Sequence, residues 1–198
     1  MDRKDEIGNV YAIITTKGYA FGQVAGINEE KWSGMYHCRI FSKLYSEIPE
    51  NISDIIAGKE DYVMQIELPS MARRKFKMAK KIGKFPFPES YMRPKYVRSS
   101  LTIGEDGSNA PFKRWLVIPD FGTIVERIRI DEWVTKVLGK NLYDETWKDD
   151  FKKLNPSSIF NGSMLIEMLE NGWKLEKWLP NDFHMNSKYL WAEYVKGD

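Results

Sequence analysis

Between Gly8 and Val24 the chain reads GNVYAIITTKGYAFGQV, two runs of β-branched and aromatic residues divided by Thr16-Lys17-Gly18. The pattern predicts strands over Val10–Thr15 and Tyr19–Val24 joined by a tight turn. Gly18 suits the positive φ that hairpin turns demand. Gly22, inside the second run, signals a bulge or a close backbone approach, devices that bend small sheets toward barrels.

Beyond an exposed loop at 28–34, Met35–Phe41 alternates as a third strand, with Tyr36, Cys38 and Ile40 on one face and His37, Arg39 and Phe41 on the other. On this reading Cys38 is a small buried hydrophobe and His37 a surface or edge residue. Asn51–Gly58 predicts a short helix closed by its glycine, and Asp61–Leu68 a further strand stopped by Pro69. Met71–Ile82 carries two patterns: a helix would align Met71, Lys75, Met78 and Ile82, whereas strand and loop would set Phe76, Met78 and Ile82 against the core. A mixed conformation satisfies both best. Gly83–Pro88 must be extended, because Pro86 and Pro88 exclude a helix.

Pro94–Val97 continues extended and Gly104–Asn109 is a loop. Arg114–Ile118 predicts a strand that turns at Pro119–Gly122 and pairs with Thr123–Ile130 in a second hairpin. From Asp131 the period changes. Helices are predicted over Asp131–Leu138, with Asp131 as cap and Gly139 at the end, over Asp144–Leu154 ahead of Asn155-Pro156, and over Ser163–Asn171 ahead of Gly172. Trp173–Trp191 is aromatic and polar by turns and is expected to fold back onto the body. The whole is an α+β chain: a bent antiparallel sheet or small barrel-like core with C-terminal helices, one domain over 1–198, mainly β over 1–130 and helix-rich over 131–198.

A chain of 198 residues, 42% hydrophobic and 14% aromatic, can bury a core without staples, and its single cysteine rules out an internal disulfide and suits a reducing compartment. No apolar run approaches the roughly 20 residues of a membrane span, so the expectation is a cytoplasmic protein with no membrane partner. The net charge of +2 hides an uneven distribution. Within Met71–Lys84 the bases Arg73, Arg74, Lys75, Lys77, Lys80, Lys81 and Lys84 occur without one acid, whereas Asp144, Glu145, Asp149 and Asp150 cluster later.

Catalytic chemistry is poorly served. His37 and His184 are the only histidines, neither has ligand-type neighbours at metal spacing, and no nucleophile elbow, phosphate loop or dinucleotide fingerprint occurs. The carboxylate pairs Asp131-Glu132, Asp144-Glu145 and Asp149-Asp150 read first as acids in helix first turns or on solvated helix faces. No metal, cofactor or catalytic residue is expected. The bases Arg73, Arg74, Lys77, Lys80 and Lys81, with Phe76, Phe85 and Phe87 interleaved, form a solvated face, a phosphate-binding stretch or one half of an electrostatic contact with an acidic protein. Trp32, Trp147, Trp173, Trp178 and Trp191 exceed what the core needs, and any exposed one is a candidate interface anchor.

The segment Gly8-Asn9-Val10-Tyr11-Ala12-Ile13, followed by Gly18-Tyr19-Ala20-Phe21-Gly22-Gln23-Val24, resembles the opening of the immunity protein 26 family. There a Gly-Asp-x-aromatic-Ala-Ile strand leads through a Gly turn to a Tyr-x-aromatic-Gly-Arg-Val strand. Ile82-Gly83-Lys84-Phe85-Pro86-Phe87 and Pro94-Lys95-Tyr96 resemble that family's Ile-Gly-x-x-Pro-aliphatic and Pro-x-aromatic segments. Asn9 and Gln23 depart from the pattern, standing for Asp and Arg. The resemblance runs over about residues 1–130 and has no counterpart for the helical remainder. It implies a bacterial cytoplasmic binding protein that neutralises a cognate toxin in a one-to-one complex, without cofactor or catalytic residue. With a pI of about 8.4, only a local acidic face, Asp144, Glu145, Asp149 and Asp150, would meet a basic toxin site. The alternative is a nucleic-acid-binding module on the basic stretch 71–84.

Overall fold

The computed structural model describes residues 3–27, 36–102, 113–119, 128–144, 146–156 and 162–172. The predicted loops at 28–34 and 104–109, most of the turn and strand at 119–127, and the segment from Trp173 onward lie outside these residues.

A 3-10 turn at Arg3–Glu6 leads into β1 (Asn9–Thr15) and β2 (Gly18–Ile27), which pair in the predicted antiparallel register, Val10 opposite Gln23 through Thr15 opposite Gly18. Gly18 has φ +131°, as the turn requires. A Cβ on Gly22 would lie 2.7 Å from Leu68 Cδ1, so this glycine marks a close approach to a side chain, while the bulges of β2 flank it at Tyr19/Phe21 and Val24/Gly26. β3 (Tyr36–Tyr45) and β4 (Tyr62–Ile66) extend the sheet on one side and β5 (Ala79–Lys84) on the other, giving the order β4-β3-β2-β1-β5. With β4 and β5 at opposite edges the bent sheet does not close into a barrel.

Both faces of this sheet are covered. One face carries Tyr11, Ile13, Ala20, Val24, Cys38, Ile40 and Met64 against Leu68 and Met71 of α2 (Leu68–Met71) and Leu165 and Leu169 of the C-terminal helix Gly162–Glu170. The other carries Val10, Ala12, Phe21 and Phe41 against Ile52 and against Ile56 of α1 (Ser53–Ala57), with Ile82 and Phe85 at its margin. Complete burial of a side chain such as Phe21 or Ile13 contributes about 2–3 kcal/mol, so packing anchors the hairpin on both of its faces. Pro69 does more than stop a strand: it sits in the first turn of α2, where its missing N–H costs nothing.

A second, three-stranded sheet has the order β7-β6-β8. β6 (Tyr96–Thr102) pairs antiparallel with β7 (Lys113–Pro119) and parallel with the two-residue β8 (Asn155–Pro156). Of the predicted pairing of 114–118 with 123–130, the part among the described residues is present: Val117 and Ile128 exchange both backbone bonds, at 3.2 and 2.7 Å, while residues 123–127 lie outside them; β7 also pairs with β6 along its length. Val63, Val97 and Ile118 pack together between the two sheets, and Asn155 Oδ1 accepts from Val63 N at 3.0 Å.

Of the helices predicted after Asp131, the first and third keep their predicted lengths with bounds moved by one residue, and only the second is shorter. α3 (Ile130–Glu132) passes at once into a π-helical turn, Trp133–Val137. Asp131 is not its cap; it lies in the first turn, paired with Arg129 at 3.0 Å. α4 covers Trp147–Lys153 and α5 Gly162–Glu170. Trp133, Val134, Trp147 and Phe151 close over Val117 in a separate apolar cluster, so tertiary packing of two indoles sets the path here. No helix among the described residues is long and apolar enough to cross a membrane.

Candidate binding surface

The basic stretch is a compact loop slung between two methionines. Met71 is buried at the end of α2, Met78 packs on the same core, and a Cβ on Gly162 of α5 would meet both at 3.0 Å. Met78 N donates to Met71 O at 3.0 Å and closes the loop; inside it Phe76 N and Lys77 N both donate to Arg73 O, at 2.9 and 3.1 Å. This tight path puts Lys77 at φ +52°, a conformation few non-glycine residues hold. Arg73, Arg74, Lys75 and Lys77 are exposed, and Lys80 and Lys81 follow, exposed, on the edge strand β5. Phe76 is 48% exposed, contrary to its expected place against the core; Met78 takes that place, and Lys75 Nζ lies 5.6 Å above the Phe76 ring. Lys81 stands 3.9 Å from Glu6, while Arg73, Arg74, Lys77 and Lys80 have no acidic partner among the described residues.

The later acids are occupied differently. Asp144 is exposed, and its Oδ1 accepts from Thr146 N at 3.1 Å, closing the turn before α4. Asp149 and Asp150 lie in the first turn of α4, where carboxylates suit the helix dipole. Asp150 accepts from Lys140 Nζ and stands 4.0 Å from Lys153. Glu145 lies outside the described residues.

Sequence reasoning missed a buried polar network. Arg39, on the same face of β3 as His37 and Phe41, is 1% exposed. Its guanidinium donates to Gln23 Oε1 (2.8 Å), Ile56 O (3.2 Å), Gly58 O (2.9 Å) and Glu60 Oε2 (3.0 Å), and lies 5.0 and 4.7 Å from the rings of Phe41 and Tyr91. Gln23 Nε2 donates in turn to Phe85 O at 2.9 Å. A second network surrounds the buried Glu6, whose Oε2 accepts from Asn9 Nδ2 and Tyr11 Oη, each at 2.6 Å. Burial by itself would raise the Glu6 carboxyl, but these bonds and the charges of Lys81 and Lys84 outweigh it and hold the carboxyl below its ordinary range. Burial, with Glu6 beside it, pushes the Tyr11 phenol far up. Asn9 thus supplies a donor to a carboxylate, and Gln23 an acceptor to an arginine.

His37 is also buried, correcting its expected place at the surface or an edge: β3 lies inside the sheet between β2 and β4. Cys38 is buried as expected, its thiol 3.6 Å from Ile66 O and pushed up by burial, so it is no nucleophile at neutral pH. Among the described residues no group of three His, Cys, Asp or Glu side chains could hold a metal ion. Trp147 is 2% exposed; the other four tryptophans considered as anchors lie outside the described residues.

Compared with protein-family models, with curated proteins and with solved structures, the chain matches none.

Proposed function

We propose that this chain is an immunity protein that binds and neutralises a cognate bacterial toxin in the bacterial cytoplasm, by a stoichiometric complex and without catalysis or cofactor. The observation that carries the reading is a convergence. The two segments that resemble the immunity protein 26 family are separated by more than fifty residues of chain but form one unit around β1: Gly8 N donates to Val24 O at 2.8 Å, Phe85 N to Gly8 O at 2.9 Å, and Gln23 Nε2 to Phe85 O at 2.9 Å. Motif residues that build one another's environment make a coherent signature, whereas scattered chance matches have no reason to meet.

Co-purification with the product of the neighbouring gene, followed by growth of cells expressing that product with and without this protein, tests the reading. Rescue together with a stable one-to-one complex supports it. A harmless neighbour, or a toxic one that is neither bound nor neutralised, removes it.

A nucleic-acid-binding module is the second reading. One observation favours it, the exposure of Phe76 among Arg73, Arg74 and Lys77, since aromatic faces among bases suit stacked nucleotides.

A further inference from the structure

We infer that the partner-binding surface is the basic loop, Arg73, Arg74, Phe76 and Lys77, with Lys80 of the adjoining edge strand, and that the partner presents an acidic protein surface to it. This inference rests on the immunity reading and reverses the polarity that the acidic cluster suggested.

The way the charges are paired favours this polarity. Asp150 already has Lys140 and Lys153, and Asp144 turns one carboxylate oxygen to Thr146 N. Arg73, Arg74, Lys77 and Lys80 crowd like charges into a few residues of chain with no acid among the described residues to offset them. Such crowding costs free energy in the isolated protein, and an acidic partner relieves it while steering the encounter.

The loop is also built in advance. One end is pinned by the buried Met71 and the other by the partly buried Met78 against the same core, the Met78 N to Met71 O bond closes it, and Lys77 is held at φ +52°. Strain persists only where surrounding structure over-determines it, and a surface ordered beforehand loses less entropy on binding. Arginine beside an exposed aromatic ring is the composition of interface hot spots.

A protein suits this surface better than a nucleic acid. Phe76 is a single exposed ring, not a row of stacking faces, and the whole chain carries only +2. The loop runs straight into β5, which has β1 as its hydrogen-bonded neighbour on one side and no strand among the described residues on the other. Main-chain groups on an open strand edge are complementary to another polypeptide.

The test compares the wild type with Arg73→Glu/Arg74→Glu/Lys77→Glu and with a charge-matched control in exposed bases elsewhere, Lys59→Glu/Lys95→Glu/Lys136→Glu, after circular dichroism has shown that all three fold. Association with the neighbouring gene's product is measured at low and high salt, with polyglutamate and a single-stranded oligonucleotide as separate probes. The expected result is a loss of about a hundredfold in association rate for the loop variant, with loss of growth rescue, and little change for the control. Unchanged binding by the loop variant overturns the surface while leaving the immunity reading standing. If the wild type does not bind the neighbour's product, the immunity reading falls; polyglutamate binding lost on loop reversal would still support the acidic-partner surface, and its absence would overturn that too. An oligonucleotide bound more tightly than polyglutamate transfers the loop to nucleic acid and overturns the inference.

Discussion

Gln23 and Arg39 stand directly opposite each other on β2 and β3, and Arg39 Nη1 donates to Gln23 Oε1 at 2.8 Å in the buried interior. Gln23 is the residue that replaces an arginine in the family it resembles, and a second guanidinium there would face the first with no water to screen it. Gln23→Arg is therefore expected to destabilise the fold by about 2 kcal/mol or more. Arg39→Ala leaves Gln23, two backbone carbonyls and Glu60 without their donor and is expected to cost about 3–5 kcal/mol. Urea denaturation reads both. A loss under 1 kcal/mol in either would mean that the network relaxes or hydrates more easily than its burial implies.

The hairpin that contains Gln23 was legible in the sequence because the β-branched and aromatic runs on either side of Thr16-Lys17-Gly18 and the turn glycine Gly18 are local signals. The burial of Gln23, Arg39 and His37 was not. Alternation assigns residues to two faces but does not say that both faces are covered; Ile52, Ile56 and Tyr91, which do the covering, come from distant segments. The pairing of β7 with β6 was hidden for the same reason. The basic stretch was legible as charge, but its use as a closed loop depends on Met71 and Met78 meeting α5, a contact across about eighty residues of chain.

Tyr11 Oη and Asn9 Nδ2 both donate to Glu6, so the Glu6 charge is stabilised in the fold and not in the unfolded chain. A carboxyl held below its ordinary value of 4.5 contributes stability that is present above that pH and lost as pH falls through the lowered value. Tyr11→Phe removes one donor and is expected to cost about 1.5–3 kcal/mol at neutral pH. The deficit should shrink on acidification as Glu6 protonates. A deficit that stays constant through the acid range in which the wild type loses stability would show that Tyr11 acts through packing and not through the carboxylate.

His37 gives a stability profile in a different window. Burial, with the Arg93 charge adding, brings its pKa down to about 4, against about 6.5 in an unfolded chain. Between these values the unfolded chain binds a proton that the folded one refuses, so stability is intact above about pH 6.5 and falls progressively toward pH 4, by about 3 kcal/mol at most. Gln65, whose Nε2 lies 3.3 Å from His37 Nε2, faces the ring without carrying charge. His37→Gln should flatten this part of the profile. Parallel urea midpoints for the two proteins from pH 6.5 to 4 would sink the assignment.

Lys77 separates conformational strain from function. At φ +52° a lysine bears a steric cost that glycine does not, of about 1 kcal/mol, offset in part by the greater freedom of glycine in the unfolded chain. Lys77→Gly is expected to leave thermal stability unchanged or raise it slightly, since the Lys77 side chain is exposed and has no acidic partner among the described residues. Lys77→Val, β-branched and intolerant of positive φ, should lower stability by about 1–2 kcal/mol in the same calorimetric measurement. If glycine destabilises as much as valine, the lysine side chain supports the loop through its own contacts. If glycine is neutral in stability but weakens association with an acidic partner, the chain carries a strained lysine at this position because its charge is needed there.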